Sequence, residues 1–261
     1  MIDTKKFYIN GAWVAPISDR EMEVIDPSTE QVCGTIAIGN QADTDAAVAA
    51  AKAAFDDWSQ TPKARRIALL KKFLTVYQAR NEEMGRAISL EMGAPIDMAL
   101  TSQAESGSEH TEGLIEELEK FEFERALNDS APNDRIIYEA IGVCALITPW
   151  NWPMNQVSLK AIAAMAAGCT MVLKPSEIAP LSSLVFADMV HEAGIPAGVF
   201  NMVNGDGAGV GSHLTSHPDV DMVSFTGSTR AGALISKNAA DTVKRVALEL
   251  GGKGANIVFA D

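Results

Sequence analysis

Cysteine is scarce in this chain: Cys33, Cys144 and Cys169 are the three in 261 residues. An odd, sparse set argues against a disulfide framework and for a reducing compartment. No C-x-x-C pair or His-rich tract suggests zinc, so no metal site is expected. Long apolar runs are lacking too. No uninterrupted segment approaches the ~18 residues of a membrane-spanning helix, so no membrane contact is expected. The N-terminal Met1–Lys6 has no signal-peptide core. Positive charge is in deficit, with 21 Lys+Arg against 34 Asp+Glu and a formal net charge of -13. Such a surface repels phosphate backbones, which disfavours nucleic acid as a partner. What remains is a cytoplasmic globular chain, 47% hydrophobic and 21% charged, with enough apolar residues for a large core.

The first half alternates short strands and long helices. Phe7–Ile9 and Ala12–Val14 flank Asn10-Gly11, the dipeptide of a type I′ hairpin turn. Asp26-Pro27-Ser28-Thr29 is a second turn, between Glu23–Ile25 and Val32–Ile36. Asp43–Trp58 is an alanine-rich helix with Asp43 as its cap. The next helix opens at Pro62 and carries Ile67, Leu70, Phe73, Leu74 and Tyr77 as a core stripe. Asn81–Met92 is helical up to Gly93-Ala94-Pro95, and Ile96 to about Lys120 is one more long helix. Phe121–Leu127 and Arg135–Ala140 are β-prone, with 128–134 as a loop between them. This charged hairpin is either an exposed arm or one that docks on a neighbouring subunit.

From Ile141 the pattern becomes strand, helix, strand, helix. The strands are 142–147, 170–173, 199–203 and 222–225, completed by 246–250 and 255–259. The helices end at Gly168, Gly194 and Ala239, with a short one starting near Gly209. Continuous apolar strands separated by helices describe a doubly wound parallel sheet of Rossmann-like α/β type, covered on both faces. The domain reading is 1–120 as N-terminal strands and a helical layer, 121–140 as the protruding β-hairpin arm and 141–261 as the α/β core. Ligands of such sheets bind beyond the carboxyl ends of the strands. That rule selects Thr148–Asn151, Lys174–Glu177, Gly205–Gly211 and Thr226–Ser228.

Four motifs fall there or nearby. Gly205–Gly211 is glycine-rich but misses the G-x-G-x-x-G spacing, and taken alone reads as a flexible loop. Phe225-Thr226-Gly227-Ser228 runs from a buried strand into a helix start. Gly227 would let a phosphate approach the backbone and Ser228 could donate to it, or Ser228 is simply the helix cap. Lys174-Pro175-Ser176-Glu177 offers an ammonium and a carboxylate to sugar hydroxyls, and otherwise is a solvated turn. A carboxylate there disfavours a 2′-phosphate. Leu248-Glu249-Leu250-Gly251-Gly252-Lys253 sets a glutamate between leucines. An apolar setting would raise its pKa and suit it to general-base work, whereas simple alternation would face it to solvent.

As an ordered set these motifs resemble the aldehyde dehydrogenase superfamily, in its N-terminal, cofactor-binding portion. The set is Thr148-Pro149-Trp150-Asn151-Trp152-Pro153, Lys174–Glu177, Phe225–Thr229 and Leu248–Lys253, with Glu91-Met92-Gly93-Ala94-Pro95 as a further landmark. The resemblance runs from Asn10-Gly11 to Phe259. It implies NAD-dependent oxidation of an aldehyde to a carboxylic acid, with NADP as the alternative cofactor. It makes Asn151 the oxyanion-hole amide and Glu249 the general base. It puts Thr148, Pro149, Trp150, Lys174, Ser176, Glu177, Gly207, Gly211, Phe225, Gly227, Ser228, Leu250 and Gly251 around the cofactor. It makes the hairpin an oligomerisation arm, in a complete enzyme that is a homodimer or homotetramer.

One departure stands against this. The family's nucleophile is a cysteine a few dozen residues after the general base, and Asp261 lies only a dozen after Glu249. Cys33, Cys144 and Cys169 do not match its motif and read as small buried apolar residues. The expectation is therefore a cofactor-binding portion without its catalytic domain and inactive alone. The competing reading is a non-catalytic nucleotide-binding or assembly module. An acyl-transferring reductase on the same fold is disfavoured by Glu249.

Overall fold

The computed structural model describes residues 3–259. The chain opens with strands β1 (Phe7–Ile9) and β2 (Ala12–Val14), paired antiparallel. Asn10 and Gly11 between them have φ of 52° and 76°. Two successive positive φ values are what a type I′ turn requires, and Asn-Gly tolerates both. Strands β3 (Glu21–Asp26) and β4 (Gln31–Ala37) form a separate antiparallel pair.

Helix α1 runs Gln41–Ser59, so Asp43 is not the cap. Asn40 caps the helix and Asp43 is the reciprocal partner of a capping box. Asp43 also accepts from the backbone N–H of Ile17 (2.7 Å) and Ser18 (3.2 Å), which ties the preceding loop to the helix start. Helices α2 (Lys63–Ala79) and α3 (Asn81–Met92) follow, the latter ended by left-handed Gly93. The expected stripe on α2 is graded. Leu70, Phe73 and Tyr77 are fully buried, whereas Ile67 and Leu74 are partly buried against the same core. The helix expected over 96–120 is continuous but not uniform. It starts as α4 (Ile96–Met98), widens to a π-helical stretch at Ala99–Ala104, and continues as α5 (Glu105–Lys120).

The hairpin is tighter than its sequence suggests. Strands β5 (Glu124–Asn128) and β6 (Ala131–Ile137) leave a two-residue turn where a seven-residue loop was expected. The Asn128 carboxamide oxygen accepts from the N–H of Ser130 and Ala131, which forms the turn from side-chain chemistry. Pro132 is tolerated because this two-stranded ribbon has open edges. Both strands are largely exposed.

The core is a seven-stranded sheet in the order β11-β10-β7-β8-β9-β1-β2. Five adjacent strands are β7 (Val143–Ile147), β8 (Thr170–Lys174), β9 (Phe200–Met202), β10 (Met222–Gly227) and β11 (Arg245–Leu250), all parallel to one another. Helices α6 (Pro153–Ala167) and α7 (Leu181–Ala193) make the crossovers from β7 to β8 and from β8 to β9. Helices α8 (Ser212–Ser216) and α9 (Thr229–Ala240) make those from β9 to β10 and from β10 to β11. Alternation divides the strands between two cores. Cys144, Leu146, Met171 and Leu173 join α2, α6 and α7, while Val143, Ala145, Ile147 and Val172 join α1, α8 and α9. The sheet is doubly wound, with both faces of β7 and β8 buried throughout.

The stretch 255–259 is not a strand. Ala255–Phe259 is exposed and has no hydrogen-bonded neighbour among the described residues. Its apolar, β-branched composition supplies propensity, but a strand needs a partner edge. No described helix is long and apolar enough to cross a membrane.

Candidate active site

Strand order reverses between β7 and β10, whose neighbours lie on opposite sides. Two crossovers leaving this line in opposite directions open a crevice at the carboxyl ends, the usual ligand position in an open α/β sheet. Buried Thr148 anchors one lip, donating its N–H to the Lys174 carbonyl at 3.2 Å. Pro149, Trp150 and Asn151 then cross the crevice to α6. Trp150 is exposed, and Trp152 donates its indole N–H to Ser106 Oγ at 3.3 Å. Asn155 is joined to His110 at 2.7 Å, so the start of α6 is fastened to α5.

A groove of about 1040 Å³ runs between α6 and the β10–β11 edge. Pro149, Asn151, Thr226, Gly227, Glu249, Leu250 and Gly251 line its carboxyl end. The parallel register sets Thr226 beside Glu249 and Gly227 beside Leu250. Strand alternation sends Val246 and Leu248 into the core on one face and Glu249 to the groove on the other. Glu249 is exposed, so the apolar enclosure expected from its leucine neighbours is not formed. Adjacent residues in a strand face opposite sides, which makes Leu248 and Leu250 poor predictors of the surroundings of Glu249.

Lys160 on α6 lines the same groove and was not singled out by sequence. Its ammonium donates to Ser224 Oγ at 3.0 Å. Burial lowers its pKa, opposed by the Glu249 carboxylate. The signal was available: Lys160 is the single charged residue of α6, nine residues after Asn151.

A second group lies across the crevice. Lys174, almost fully buried at the end of β8, donates to its neighbour's carbonyl on Pro175 and to Glu177 Oε2, both at 2.9 Å. Ser176 is buried and its Oγ accepts from the Ile178 N–H. Gly211 packs against the Lys174 stem: a Cβ there would stand 3.8 Å from Lys174 Cδ. The glycine stretch is not a loose loop. Gly207–Gly211 forms a π-helical turn, capped by the Asp206 side chain and held by Arg20 at 2.9 Å. Those contacts keep the Asp206 carboxyl below its usual range, Arg20 first and the Gly209 N–H next. Position 207 is open, with nothing within 4 Å of where a Cβ would be. Phe225 is buried beneath Gly227, and Ser228 caps α9 by accepting from the Ala231 N–H at 3.2 Å. That leaves the Ser228 hydroxyl hydrogen free to donate.

The fold thus gathers Asn151 and Glu249 in one groove, and Lys174, Glu177 and Gly211 in a second cluster. The three cysteines stand apart from Asn151. Cys33 is on β4. Cys144 and Cys169 line the groove, but at the amino ends of the strands. Four residues of strand, roughly 13 Å at strand rise, separate Cys144 from Thr148. Cys169 and burial push the Cys144 thiol up, which keeps it protonated and a poor nucleophile.

The model of the aldehyde dehydrogenase family matches residues 13–261. A 3-succinoylsemialdehyde-pyridine dehydrogenase from Pseudomonas sp is 52% identical over 262 residues, covering 100% of this chain and 54% of that protein. The crystal structure of an aldehyde dehydrogenase from Bartonella henselae superimposes with a TM-score of 0.97 at 56% identity, covering 100% of this chain and 55% of the other. A mutant of aldehyde dehydrogenase C from Pseudomonas syringae, in complex with NAD+ and octanal, superimposes with a TM-score of 0.96 at 49% identity, covering 100% and 54%. The chain spans about half the length of the relatives it matches.

Proposed function

The chain belongs to the aldehyde dehydrogenase family, and on that premise we propose that it is the cofactor-binding portion of an enzyme that oxidises an aldehyde to a carboxylic acid with NAD. The observation that carries this reading is the meeting of Asn151 and Glu249 in one groove at the switch point of the sheet.

The residues present fit a dinucleotide. Lys174 and Glu177 set an ammonium and a carboxylate side by side, donors and acceptors suited to a pair of sugar hydroxyls. The open position at Gly207 leaves room for a flat base. Thr226 Oγ1 is buried with no hydrogen-bond partner, one residue before Gly227 and three before the first residue of α9. A helix amino end and a free hydroxyl suit a pyrophosphate. Thr148, Pro149, Trp150, Ser176, Phe225, Leu250 and Gly251 shape the same crevice. The Glu177 carboxylate favours NAD over NADP, because a 2′-phosphate beside it would be repelled.

When bound, NAD supplies the acceptor for the hydrogen and electron pair that leave the substrate carbon. The chain's own residues do the rest of the work in this half of the site. The Asn151 carboxamide donates to the carbonyl oxygen as negative charge develops on it. Glu249, open to the groove, takes a proton from the nucleophile or from the hydrolytic water. Lys160 holds a positive charge near Glu249. The nucleophile is a cysteine outside residues 1–261, and these residues alone are inactive. The domain division is 1–120, 121–140 and 141–261, the hairpin β5–β6 is the arm of a homodimer or homotetramer, and three unpaired thiols suit the cytoplasm.

The test is NADH formation by the full-length protein with simple aldehydes. Asn151→Ala and Glu249→Gln are each expected to lower kcat by about 10²-fold or more. Turnover unchanged in both variants would sink the assignment. The second reading is a non-catalytic nucleotide-binding module, which needs no nucleophile. It predicts NAD binding by calorimetry with no turnover in the full-length protein.

A further inference from the structure

Away from the crevice, the first turns of α1 meet α8 at a cluster of two imidazoles and a carboxylate. We propose that Asp45, His213 and His217 form a binding site for one divalent transition-metal ion of the zinc, cobalt and nickel group.

The two histidines are four apart, so their rings stand on one side of α8 and its C-terminal residue. Their centroids are 5.5 Å apart with planes at 77°. Asp45 comes from a helix 168 positions earlier in the chain. Its Oδ1 lies 2.5 Å from His213 Nε2 and 3.3 Å from His217 Nε2, and all three ligand atoms lie within 4.8 Å of one another.

Those separations suit a metal. Tetrahedral bonds of ~2.0–2.1 Å put neighbouring ligand atoms ~3.3 Å apart. The His217–Asp45 separation already has that value. The His213–Asp45 contact needs to open by less than about 1 Å, within the reach of a surface carboxylate that is half exposed. Two imidazole nitrogens and one carboxylate oxygen select borderline cations over magnesium and calcium, which prefer all-oxygen shells. The histidine side chains are 21% and 11% exposed, so one flank faces solvent and water can complete the shell.

The charges nearby are mixed. Asp219 is paired with Lys52, and the Lys244 ammonium, which donates to the His217 carbonyl, sets a positive charge beside the site. Asp45 is the carboxylate the ion meets. One hydrogen bond opposes binding as well. The Asp219 N–H donates to His217 Nδ1 at 3.1 Å, which places the proton of the neutral ring on Nε2, facing Asp45. Coordination through Nε2 moves that proton to Nδ1 and breaks the Asp219 bond. The site is accordingly weaker than a structural zinc centre. The short primary-sequence signal is the His-x₃-His pair, but the third ligand is brought in by the tertiary fold alone.

The experiment uses untagged full-length protein stripped with a chelator and titrated by calorimetry with zinc chloride, alongside cobalt absorption spectra. One ion per chain is expected, with a rise in thermal midpoint. His213→Asn/His217→Asn and Asp45→Asn should each weaken binding at least tenfold while leaving the metal-free midpoint close to wild type. The cobalt spectrum should lack the intense near-ultraviolet bands of thiolate ligands. Absence of saturable binding, binding unchanged in the double histidine variant, or a thiolate band would each overturn the proposal.

Discussion

The Phe225 ring lies directly under Gly227, so that a Cβ on Gly227 would stand 2.4 Å from Phe225 Cζ. The pair is two apart on β10, hence on the same face, and Phe225 is buried against the α9 core. A side chain at 227 must therefore displace a packed ring. Gly227→Ala should cost about 1–3 kcal/mol of stability, the usual range for overpacking. Phe225→Leu should recover part of that loss. Urea melts of the two single variants and the double variant check the coupling; strictly additive effects would contradict the contact.

Lys174 is the buried cation of the crevice, with Glu177 as its partner at 2.9 Å. Lys174→Met preserves the stem that packs on Gly211 but leaves Glu177 unpaired. We expect NAD affinity to fall at least tenfold, with a stability loss of up to about 3 kcal/mol because Glu177 is partly solvated. Glu177→Gln should raise the affinity for NADP relative to NAD. Calorimetry with both cofactors reads each outcome, and an unchanged ratio would overturn the proposed ribose role of Glu177.

Glu91 is the most deeply buried carboxyl, on α3, and it accepts from the N–H of Leu181 and, at 3.0 Å, of Ser182. It thus satisfies the amino end of α7 from another helix. Burial pushes its pKa up to about 7, against the lowering effect of those hydrogen bonds. A carboxyl whose pKa is raised on folding contributes stability below its unfolded pKa near 4.5 and loses it as pH rises through about 7. Wild type should lose about 3 kcal/mol from this group between pH 4 and 8. Glu91→Gln should lack that slope, so the two proteins' melting curves converge or diverge with pH; parallel curves would refute the assignment.

Asp43 accepts from three backbone N–H groups, those of Asn40, Ile17 and Ser18. Asp43→Ala orphans all three at a buried position. The expected loss is about 2–4 kcal/mol, against about 1 kcal/mol for Asn40→Ala, which removes the single cap bond. Thermal melts that rank the two variants in the opposite order would show that the loop does not depend on Asp43.

Much of this molecule was legible in its residues. The Asn10-Gly11 turn, the helix stops at Gly93, Gly168 and Gly194, and the parallel strands follow from local steric rules and uninterrupted apolar runs. Each is decided within a few residues, so one sequence suffices. The Pro-Trp-Asn, Lys-Pro-Ser-Glu and Glu-Leu-Gly-Gly segments likewise stand in order along the chain, and that order was enough to point to the family. What only the tertiary structure decided depends on partners distant in sequence. The stretch 255–259 has strand propensity but no neighbouring edge among the described residues, so it forms no strand and is exposed. Glu249 sits between leucines in sequence and opens to the groove in space, because strand alternation separates the two. Lys160 becomes a site residue through α6 packing beside β10, and Asp45 meets His213 and His217 through the seating of α1 against α8. Such meetings are fixed by packing between elements 64 to 168 residues apart in the chain, where local propensity holds no information.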